Sequence, residues 1–310
     1  MVRAREFLGP YRLVRLIRVG NTTAVWEAAK GGLEGDRYAL KVLREDLRDN
    51  DAELDQMQNE FTVGKNLKHP NIIKIHEFNQ EGLIPFLVME LYECPNLKLL
   101  LRNPGHAAIA YLVPKAIEQA AKALFYMHDE GWVHRDVKPD NFLVSDEGHV
   151  KLIDFAISTK KASGLSALFS FGSKKVQGTR SYMSPEQIRG KPLDARADIY
   201  SFGCLLFELV SGKLPYTGST ADELLSKHLS AAIPSVQMHN DNVTAEFANL
   251  VKSMMAKNKE ERPATMWEFM RVYTKLSPFK ILTKPPEGKL VLPRETLKSP
   301  DDLKRIGPQG

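Results

Sequence analysis

The chain has very little cysteine: only Cys94 and Cys204 occur in 310 residues. Two cysteines without metal-ligand spacing build neither a disulfide framework nor a zinc site, so a cysteine-stapled secreted fold is excluded. We expect both thiols to be reduced structural residues, and reduced thiols favour a cytoplasmic location.

Long apolar runs and an excess of one charge are also missing. No run approaches the roughly 20 residues that cross a bilayer, and the N-terminal MVRAREFLGP lacks the apolar segment of a signal peptide. We therefore expect neither a membrane span nor secretion. The net charge is only +5, with both signs interspersed, so no nucleic-acid partner is indicated. With 43% hydrophobic and 26% charged residues, the chain predicts one large core or two smaller lobes.

The first third of the chain has the residue pattern of a small β-sheet. Short segments of strand character are separated by turn residues; they are YRLVRLIRVG, AVWEAAK, RYALKVL, IIKIHEF and PFLVMEL. Between them, residues 51–67 repeat apolar side chains at near-helical spacing and carry Glu60 at the edge of that stripe. The pattern predicts one helix packed on a sheet.

After residue 95 the apolar period becomes mostly helical. The stretch VPKAIEQAAKALFYMHDEG has Pro114 just inside its start and Gly131 at its end, as helix ends commonly do. The stretch ADIYSFGCLLFELVSG is apolar on nearly every side and stops at Gly212, which predicts a buried helix.

A loop rich in charge lies where the helical part begins. WVHRDVKPDNFLV places six polar or charged residues within eight positions: His134, Arg135, Asp136, Lys138, Asp140 and Asn141. Pro139 excludes an ordinary helix there. The loop is either a solvated turn or a catalytic loop.

A second aspartate follows at hairpin distance, in HVKLIDFAIST. Asp154 stands after apolar strand residues, where it either caps a turn by accepting backbone N–H groups or holds a metal at the tip of a strand. The spacing predicts that Asp136 and Asp154 share a cleft.

From about Tyr11 to Leu276 the chain resembles a eukaryotic-type serine/threonine protein kinase. HRDVKPDN, IDFA, GTRSYMSPE and DIYSFG occur in that family's order and at its spacing. The resemblance implies an α+β, bilobal fold, with ATP bound at the hinge. It has a small antiparallel-sheet N-lobe with one helix, about residues 11–92, and a larger helical C-lobe, about residues 96–276. The kinase domain would then occupy residues 1–276, and the Pro- and Lys-rich residues 277–310 would form an extended or flexible tail.

The resemblance assigns the chemistry of phosphoryl transfer to the two motifs around the cleft. Asp136 matches the base that orients the acceptor hydroxyl, and Lys138 matches the lysine that steadies the γ-phosphate. Asn141 and Asp154 match the ligands of Mg²⁺.

The sheet lobe supplies the remaining nucleotide contacts that the resemblance implies. Lys41 matches the strand lysine that grips the α- and β-phosphates, and Glu60 matches its helix partner. Met89 would guard the back of the adenine pocket, although an ordinary core methionine is the other reading. The further positions that line the nucleotide are Gly20, Val25, Ala39, Glu90 and Tyr92.

Two departures from the family pattern leave two functions open. In IRVGNTTAV, aligned on Val25, Arg18 and Thr23 stand where the family has glycine. Ala156 replaces the glycine of the aspartate–phenylalanine–glycine triplet, where a positive φ would make a methyl group cost about 1 kcal/mol. The chain is either an active kinase or a kinase-like nucleotide-binding scaffold with weak catalysis.

Further motif residues indicate the substrate class and the contacts that hold the activation segment and the catalytic loop in place. Lys138 together with Thr179 resembles the serine/threonine branch, so protein serine and threonine hydroxyls are the expected acceptors. Glu186 and Arg262 match a buried ion pair that pins the activation segment. Asp198 matches the helix aspartate that orients the catalytic loop.

Arg135, beside the base, is typical of kinases whose activation segment is ordered by phosphorylation. The expected acceptor lies upstream of GTRSYMSPE, and Ser173 is six residues before Thr179. The other reading of Ser173 is one more loop serine. The basic tail after Ser277 is either a docking segment for an acidic partner or a disordered end.

Overall fold

The chain forms a sheet lobe followed by a helical lobe, which the computed structural model describes over residues 7–32, 34–80, 84–160 and 179–285. Over these residues the sheet lobe holds six strands in the order β1-β2-β3-β4-β6-β5, each antiparallel to its neighbours. The strands are β1 (Phe7–Leu8), β2 (Tyr11–Val19), β3 (Thr23–Lys30), β4 (Asp36–Leu43), β5 (Ile75–Asn79) and β6 (Phe86–Glu90). The expected bilobal fold, with its antiparallel sheet, is confirmed.

Helix α1 (Asp51–Gly64) is the one long helix in the described part of this lobe, and it fits the predicted stretch. Asn50 caps its start by accepting a hydrogen bond from the backbone N–H of Ala52 at 3.1 Å. Gly64 lies so close to β5 that an added Cβ would stand 2.4 Å from Ile75 Cδ1. This close approach fixes the helix on the sheet and aims buried Glu60 at the cleft.

The helical lobe is built around one buried helix. Within the described ranges, its α-helices are α2 (Leu97–Leu100), α3 (Val113–Asp129), α4 (Pro185–Ile188), α5 (Ala195–Ser211), α6 (Ala221–Ser230), α7 (Ala245–Met254) and α8 (Met266–Tyr273). Helix α5 is buried along almost its whole length and ends at Gly212, whose φ of 68° is the left-handed conformation that favours glycine. The predicted starts and ends of α3 and α5 are confirmed within a residue or two.

Two short strand pairs lie between α3 and α4. Strand β7 (Trp132–Val133) pairs with β10 (Thr159–Lys160), and β8 (Phe142–Val144) pairs with β9 (Val150–Leu152). They bracket the charged loop and the segment with Asp154, and so hold both at the mouth of the cleft.

The lobe does not end at Leu276, where the sequence places the start of a tail. Phe279 is only 4% exposed, and it forms a β-bridge with Val243. The hydroxyl of Thr244 donates to the Ser277 carbonyl at 2.6 Å, and the Lys280 N–H donates to the Asn242 carbonyl at 2.7 Å. Residues 277–281 therefore belong to the packed lobe, and the boundary predicted at Ser277 falls too early. Residues 286–310 lie outside the described part of the chain.

None of the helices in the described ranges is both long enough and apolar enough to cross a membrane.

Candidate active site

The β8–β9 hairpin brings the two motifs of the cleft together. Phe142 pairs with Leu152, and the Ile153 N–H donates to the Asn141 carbonyl at 3.0 Å. Asn141 and Asp154 therefore leave the open end of one hairpin as near neighbours, although 13 positions separate them in sequence.

Buried Asp198 holds the charged loop in shape. Its carboxylate accepts the backbone N–H of His134 at 2.7 Å and that of Arg135 at 2.8 Å, and it contacts His128 Nε2 at 2.8 Å. Arg135 has a φ of 70°, which is unfavourable for a residue with a side chain and persists only where surrounding contacts impose it. Asp198 supplies those contacts, as the sequence predicts for this residue.

Asp136, Lys138 and Thr179 form a closed triangle of hydrogen bonds. Lys138 Nζ lies 2.6 Å from Asp136 Oδ2 and 2.8 Å from Thr179 Oγ1. The Thr179 N–H and hydroxyl both donate to Asp136 Oδ1, at 3.1 and 3.2 Å. The predicted base therefore has a cation beside one oxygen and the end of the activation segment on the other.

Asn141 and Asp154 provide donor chemistry that fits Mg²⁺. Asn141 Nδ2 donates to the Asp136 carbonyl at 2.8 Å, so the amide oxygen is the atom that can ligate a cation. The part of the chain that the structure describes contains no group of three or more His, Cys, Asp or Glu able to hold a metal. One carboxylate and one amide fit an ion that takes its other ligands from nucleotide phosphates and water, as Mg²⁺ commonly does.

Lys41 connects the sheet lobe to this hairpin. Its Nζ lies 2.6 Å from Glu60 Oε2 and 3.1 Å from Asp154 Oδ1. Burial alone would lower the pKa of Lys41, but the charges of Asp154 and Glu60 outweigh burial and raise it. Burial likewise opposes the charged form of Asp154, yet Lys41 lowers the pKa of Asp154 to about 2. Both groups are thus held charged at neutral pH.

The backbone strain that the sequence places at Ala156 lies at Asp154 instead. Among the described residues other than glycine, positive φ occurs at Arg135 and at Asp154, where it is 69°. Ala156 is outside that region, and its carbonyl accepts a hydrogen bond from Asn59 Nδ2 at 2.9 Å. The expected penalty for its methyl group is therefore wrong for this conformation.

The residues predicted around adenine lie on the central strands and at their end. In the sheet, Ala39 of β4 pairs with Met89 of β6, and Lys41 of β4 pairs with Val25 of β3. Met89 is buried. Gly20 closes the β2–β3 turn, where its N–H donates to the Thr23 carbonyl at 2.7 Å.

Glu90 and Tyr92 use their side chains to join the lobes. The Glu90 carboxylate lies 2.8 Å from Lys151 Nζ, and the Tyr92 hydroxyl donates to the His149 carbonyl at 3.1 Å. Their predicted nucleotide contacts would therefore come from the backbone.

The activation segment is anchored at its C-terminal end. Arg262 Nη1 and Nη2 contact the two Glu186 oxygens at 2.7 and 3.0 Å, and both residues are buried, so the predicted ion pair is present. Gln187 Nε2 donates to the Arg135 carbonyl at 2.9 Å. Ser173 lies outside the described residues.

Sequence reasoning missed a second ionic link at this anchor. Glu208 of α5 lies 2.8 Å from Lys98 Nζ of α2 and also accepts the hydroxyl of Tyr182. Burial and the Glu208 charge raise the pKa of Tyr182. Tyr182 stands inside GTRSYMSPE, but nothing local in the sequence identifies Glu208, which is 26 positions from Tyr182 and 110 from Lys98.

Comparison with known proteins adds independent findings. A profile of the protein kinase domain matches residues 11–273. The chain is 33% identical over 253 residues to a probable serine/threonine-protein kinase of Clostridium acetobutylicum, which covers 81% of this chain and 37% of that protein. It is 32% identical over 267 residues to the serine/threonine-protein kinase PrkC of Bacillus subtilis, with 86% and 40% covered.

The serine/threonine-protein kinase PknA of Mycobacterium tuberculosis is 34% identical over 259 residues, which cover 82% of this chain and 58% of that protein. The chain thus spans less than two thirds of the length of each of these relatives.

Proposed function

The chain belongs to the protein kinase family, among its serine/threonine members, and from this premise we propose a specific activity. The chain transfers the γ-phosphate of Mg-ATP to serine and threonine hydroxyls of proteins, including its own activation segment. The observation that carries the proposal is Lys41 held between Glu60 and Asp154, because this contact connects a phosphate-binding cation to the metal site.

Each charged group of the cleft has a role in this reaction. The acceptor hydroxyl attacks the γ-phosphorus, its proton passes to Asp136, and ADP leaves. Lys41 would bind the α- and β-phosphates, and Lys138 would balance charge on the γ-phosphate. Asn141 and Asp154 would hold Mg²⁺, which supplies electrostatic stabilisation of the phosphate oxygens.

The triangle of Asp136, Lys138 and Thr179 supports the serine/threonine assignment. Lys138 touches the base and the segment that an acceptor peptide would lie against. A peptide acceptor would be positioned by the same contacts that orient the base, and such positioning is a large part of catalysis in this reaction class.

Arg135 supports control by phosphorylation between residues 158 and 179. Its Nε is buried and has no hydrogen-bond partner within the described ranges. Burial lowers the pKa of Arg135, and the nearby charge of Asp198 offsets this effect only in part. A phosphate on the activation segment, with Ser173 as the expected acceptor, would provide a bidentate anion for it.

The test is an assay of the purified chain with Mg²⁺, ATP and a generic acceptor protein, followed by mapping of the phosphorylated sites. We expect phosphoserine and phosphothreonine on the acceptor and at least one site between residues 158 and 179. Asp136→Asn should abolish transfer while nucleotide binding persists, because Asp136 contacts the acceptor rather than ATP.

The same assay decides the alternative function. Thermal stabilisation by nucleotide without any phosphate transfer would identify a kinase-like scaffold. The observation that favours this alternative is the presence of Arg18 and Thr23 where the family has glycine. Neither stabilisation nor transfer would identify an interaction module.

A further inference from the structure

Strand β2 carries three arginines at three-residue spacing, Arg12, Arg15 and Arg18. In a regular strand alternate residues share a face, so Arg15 would point away from the other two. The register shows one extra residue between each pair of arginines. Their Cα partners on β3 are therefore alternate residues: Ala29, Glu27 and Val25. Two bulges thus bring all three arginines onto one face of the sheet.

That face is the one that borders the nucleotide cleft. Val25 is on it, opposite Lys41 of β4, and packs against the main core that contains Ala39 and Met89. The opposite face carries a separate small cluster that includes Tyr11 and packs Trp26. The arginine row therefore lines the roof of the cleft beside the phosphate-binding lysine.

Two members of the row each contact a carboxylate outside the sheet, and one of these two also contacts Glu27 within it. Arg15 lies 2.6 Å from Glu27 and also contacts Glu93, in the segment that joins the lobes. Arg18 Nη2 lies 3.9 Å from Asp140 Oδ1, in the charged loop of the helical lobe. The Arg18 pair lies at the end of β2 that enters the β2–β3 turn. We call residues 17–25, IRVGNTTAV, the phosphate loop, because they align with that loop of the family.

Arg18 stands where the family has the first glycine of its phosphate loop. Glycine there permits close approach of the backbone to phosphates, which Arg18 cannot offer. Its side chain instead reaches Asp140, which lies between Lys138 and Asn141 in sequence. The phosphate loop is thereby tied to the loop that carries the predicted base and metal ligand.

We propose that Arg18 and Asp140 form an ion-pair clasp that closes the front of the nucleotide cleft and positions the phosphate loop. The inference rests on the proposed function and makes Arg18 a positioning residue. The pair holds the phosphate loop in the conformation that binds nucleotide, so loss of the pair lowers nucleotide affinity and leaves the chemical step unchanged.

The expected size follows from exposure. The two side chains are 33% and 32% exposed, and ion pairs of such exposure change an equilibrium by up to about fivefold. Bulk salt should weaken the effect because partly exposed pairs are screened.

The kinetic test compares Arg18→Gln, Arg18→Lys, Asp140→Asn and the double variant Arg18→Gln/Asp140→Asn. Arg18→Gln and Asp140→Asn should each raise the KM for ATP about three- to fivefold with kcat within about twofold, and the double variant should be no worse than either. Arg18→Lys keeps the positive charge, so its KM for ATP should stay close to that of the parent. A lower KM in Asp140→Asn, or additive effects, would overturn the clasp and assign Arg18 to direct phosphate binding.

A second measurement does not depend on catalysis. In nucleotide-free protein, hydrogen exchange at the Val19–Thr23 amides should be about three- to fivefold faster in Arg18→Gln and Asp140→Asn, because opening of the pair exposes the turn. Arg12→Gln, on the same face at the other end of the strand, is the matched control and should not change exchange at the turn. Unchanged exchange in both test variants overturns the clasp. Faster exchange in a chain that transfers no phosphate would uphold the clasp and reject the proposed function.

Discussion

At the scale of single residues, Asp154 and Ala156 differ sharply in what they control. Asp154 has its charge fixed by Lys41 at 3.1 Å and is the predicted ligand of Mg²⁺. We expect Asp154→Asn to lower kcat about 10³-fold, because a lost metal ligand removes several kcal/mol of transition-state stabilisation. Ala156→Gly should change kcat by less than about twofold, because no positive φ at Ala156 is relieved.

Steady-state kinetics of both variants at saturating Mg²⁺ checks this prediction. A mild defect in Asp154→Asn would return the aspartate to the role of a turn cap. A gain of about a hundredfold in Ala156→Gly, or about 2.7 kcal/mol, would mean that the parent chain rests in another conformation of this segment.

His228 links the activation-segment anchor to pH. It is fully buried, its Nδ1 lies 2.9 Å from the Tyr200 hydroxyl, and Lys257 Nζ donates to its carbonyl at 2.9 Å. Burial, reinforced by the Lys257 charge, lowers the pKa of His228 from 6.5 to about 4. The folded state therefore keeps His228 neutral at a pH where the unfolded chain protonates it.

The stability that depends on neutral His228 is complete above pH 6.5 and is lost as the pH falls toward 4. The loss can reach about 3 kcal/mol of the free energy of unfolding. His228→Gln should flatten the pH dependence of that free energy in this window, whatever its effect on absolute stability. Urea unfolding at several pH values measures it, and an unchanged slope would contradict the buried, neutral state.

At the scale of elements, residues 277–281 pack on the helical lobe, and we expect this packing to contribute to its stability. Phe279 is 4% exposed, whereas Ile281, two residues later, is 75% exposed. Phe279→Ala should cost about 3 kcal/mol of unfolding free energy through the cavity it leaves, and Ile281→Ala less than about 0.5 kcal/mol. Urea denaturation of the two variants checks the prediction. Equal, small losses would show that the segment does not contribute to the lobe.

Elements with a local signal could be predicted from the sequence, and elements set by distant partners could not. The periodicity of 51–67 and the proline and glycine at the ends of α3 identify helices because helix bonds and caps are local. The bulges of β2 depend on pairing with β3, so a three-residue arginine spacing gives no clear period. Phe279 is one of three apolar residues in SPFKILTKPP, and only its bridge to Val243 distinguishes it from exposed Ile281 and Leu282.

The same distinction applies within the site. Motif spacing predicts that Asp136, Lys138, Asn141 and Asp154 lie close together. In the structure, Asn141 donates to the Asp136 carbonyl and accepts the N–H of Ile153, the residue before Asp154. The positive φ falls at Asp154 and not at Ala156, and the contact of Asp154 with Lys41 crosses between the lobes; no local motif predicts either feature. The Glu208 link to Lys98 and Tyr182 also joins three distant elements, and no motif encodes it.

At the scale of the whole molecule, the lobes meet through charges that a nucleotide would bridge. Lys41 comes from the sheet, Glu60 from α1 and Asp154 from the β8–β9 hairpin, so Mg-ATP bound to them would contact both lobes. A ligand that binds only the folded state stabilises it by about 2.7 kcal/mol at a concentration of 100 Kd. We therefore expect Mg-ATP to raise the Tm of the chain.

Removal of Mg²⁺ tests whether this stabilisation depends on the metal site. EDTA should abolish most of the Tm increase caused by ATP, because the triphosphate would then meet Asp154 without a cation between them. Asp154→Asn should show little difference between ATP with and without Mg²⁺, since its metal ligand is gone. Asp136→Asn is the matched control: it should keep the full Mg-dependent increase while transferring no phosphate. Thermal unfolding of the three proteins with ATP, with and without EDTA, measures these differences. An increase in Tm that is insensitive to EDTA in the parent chain would place the nucleotide away from Asn141 and Asp154.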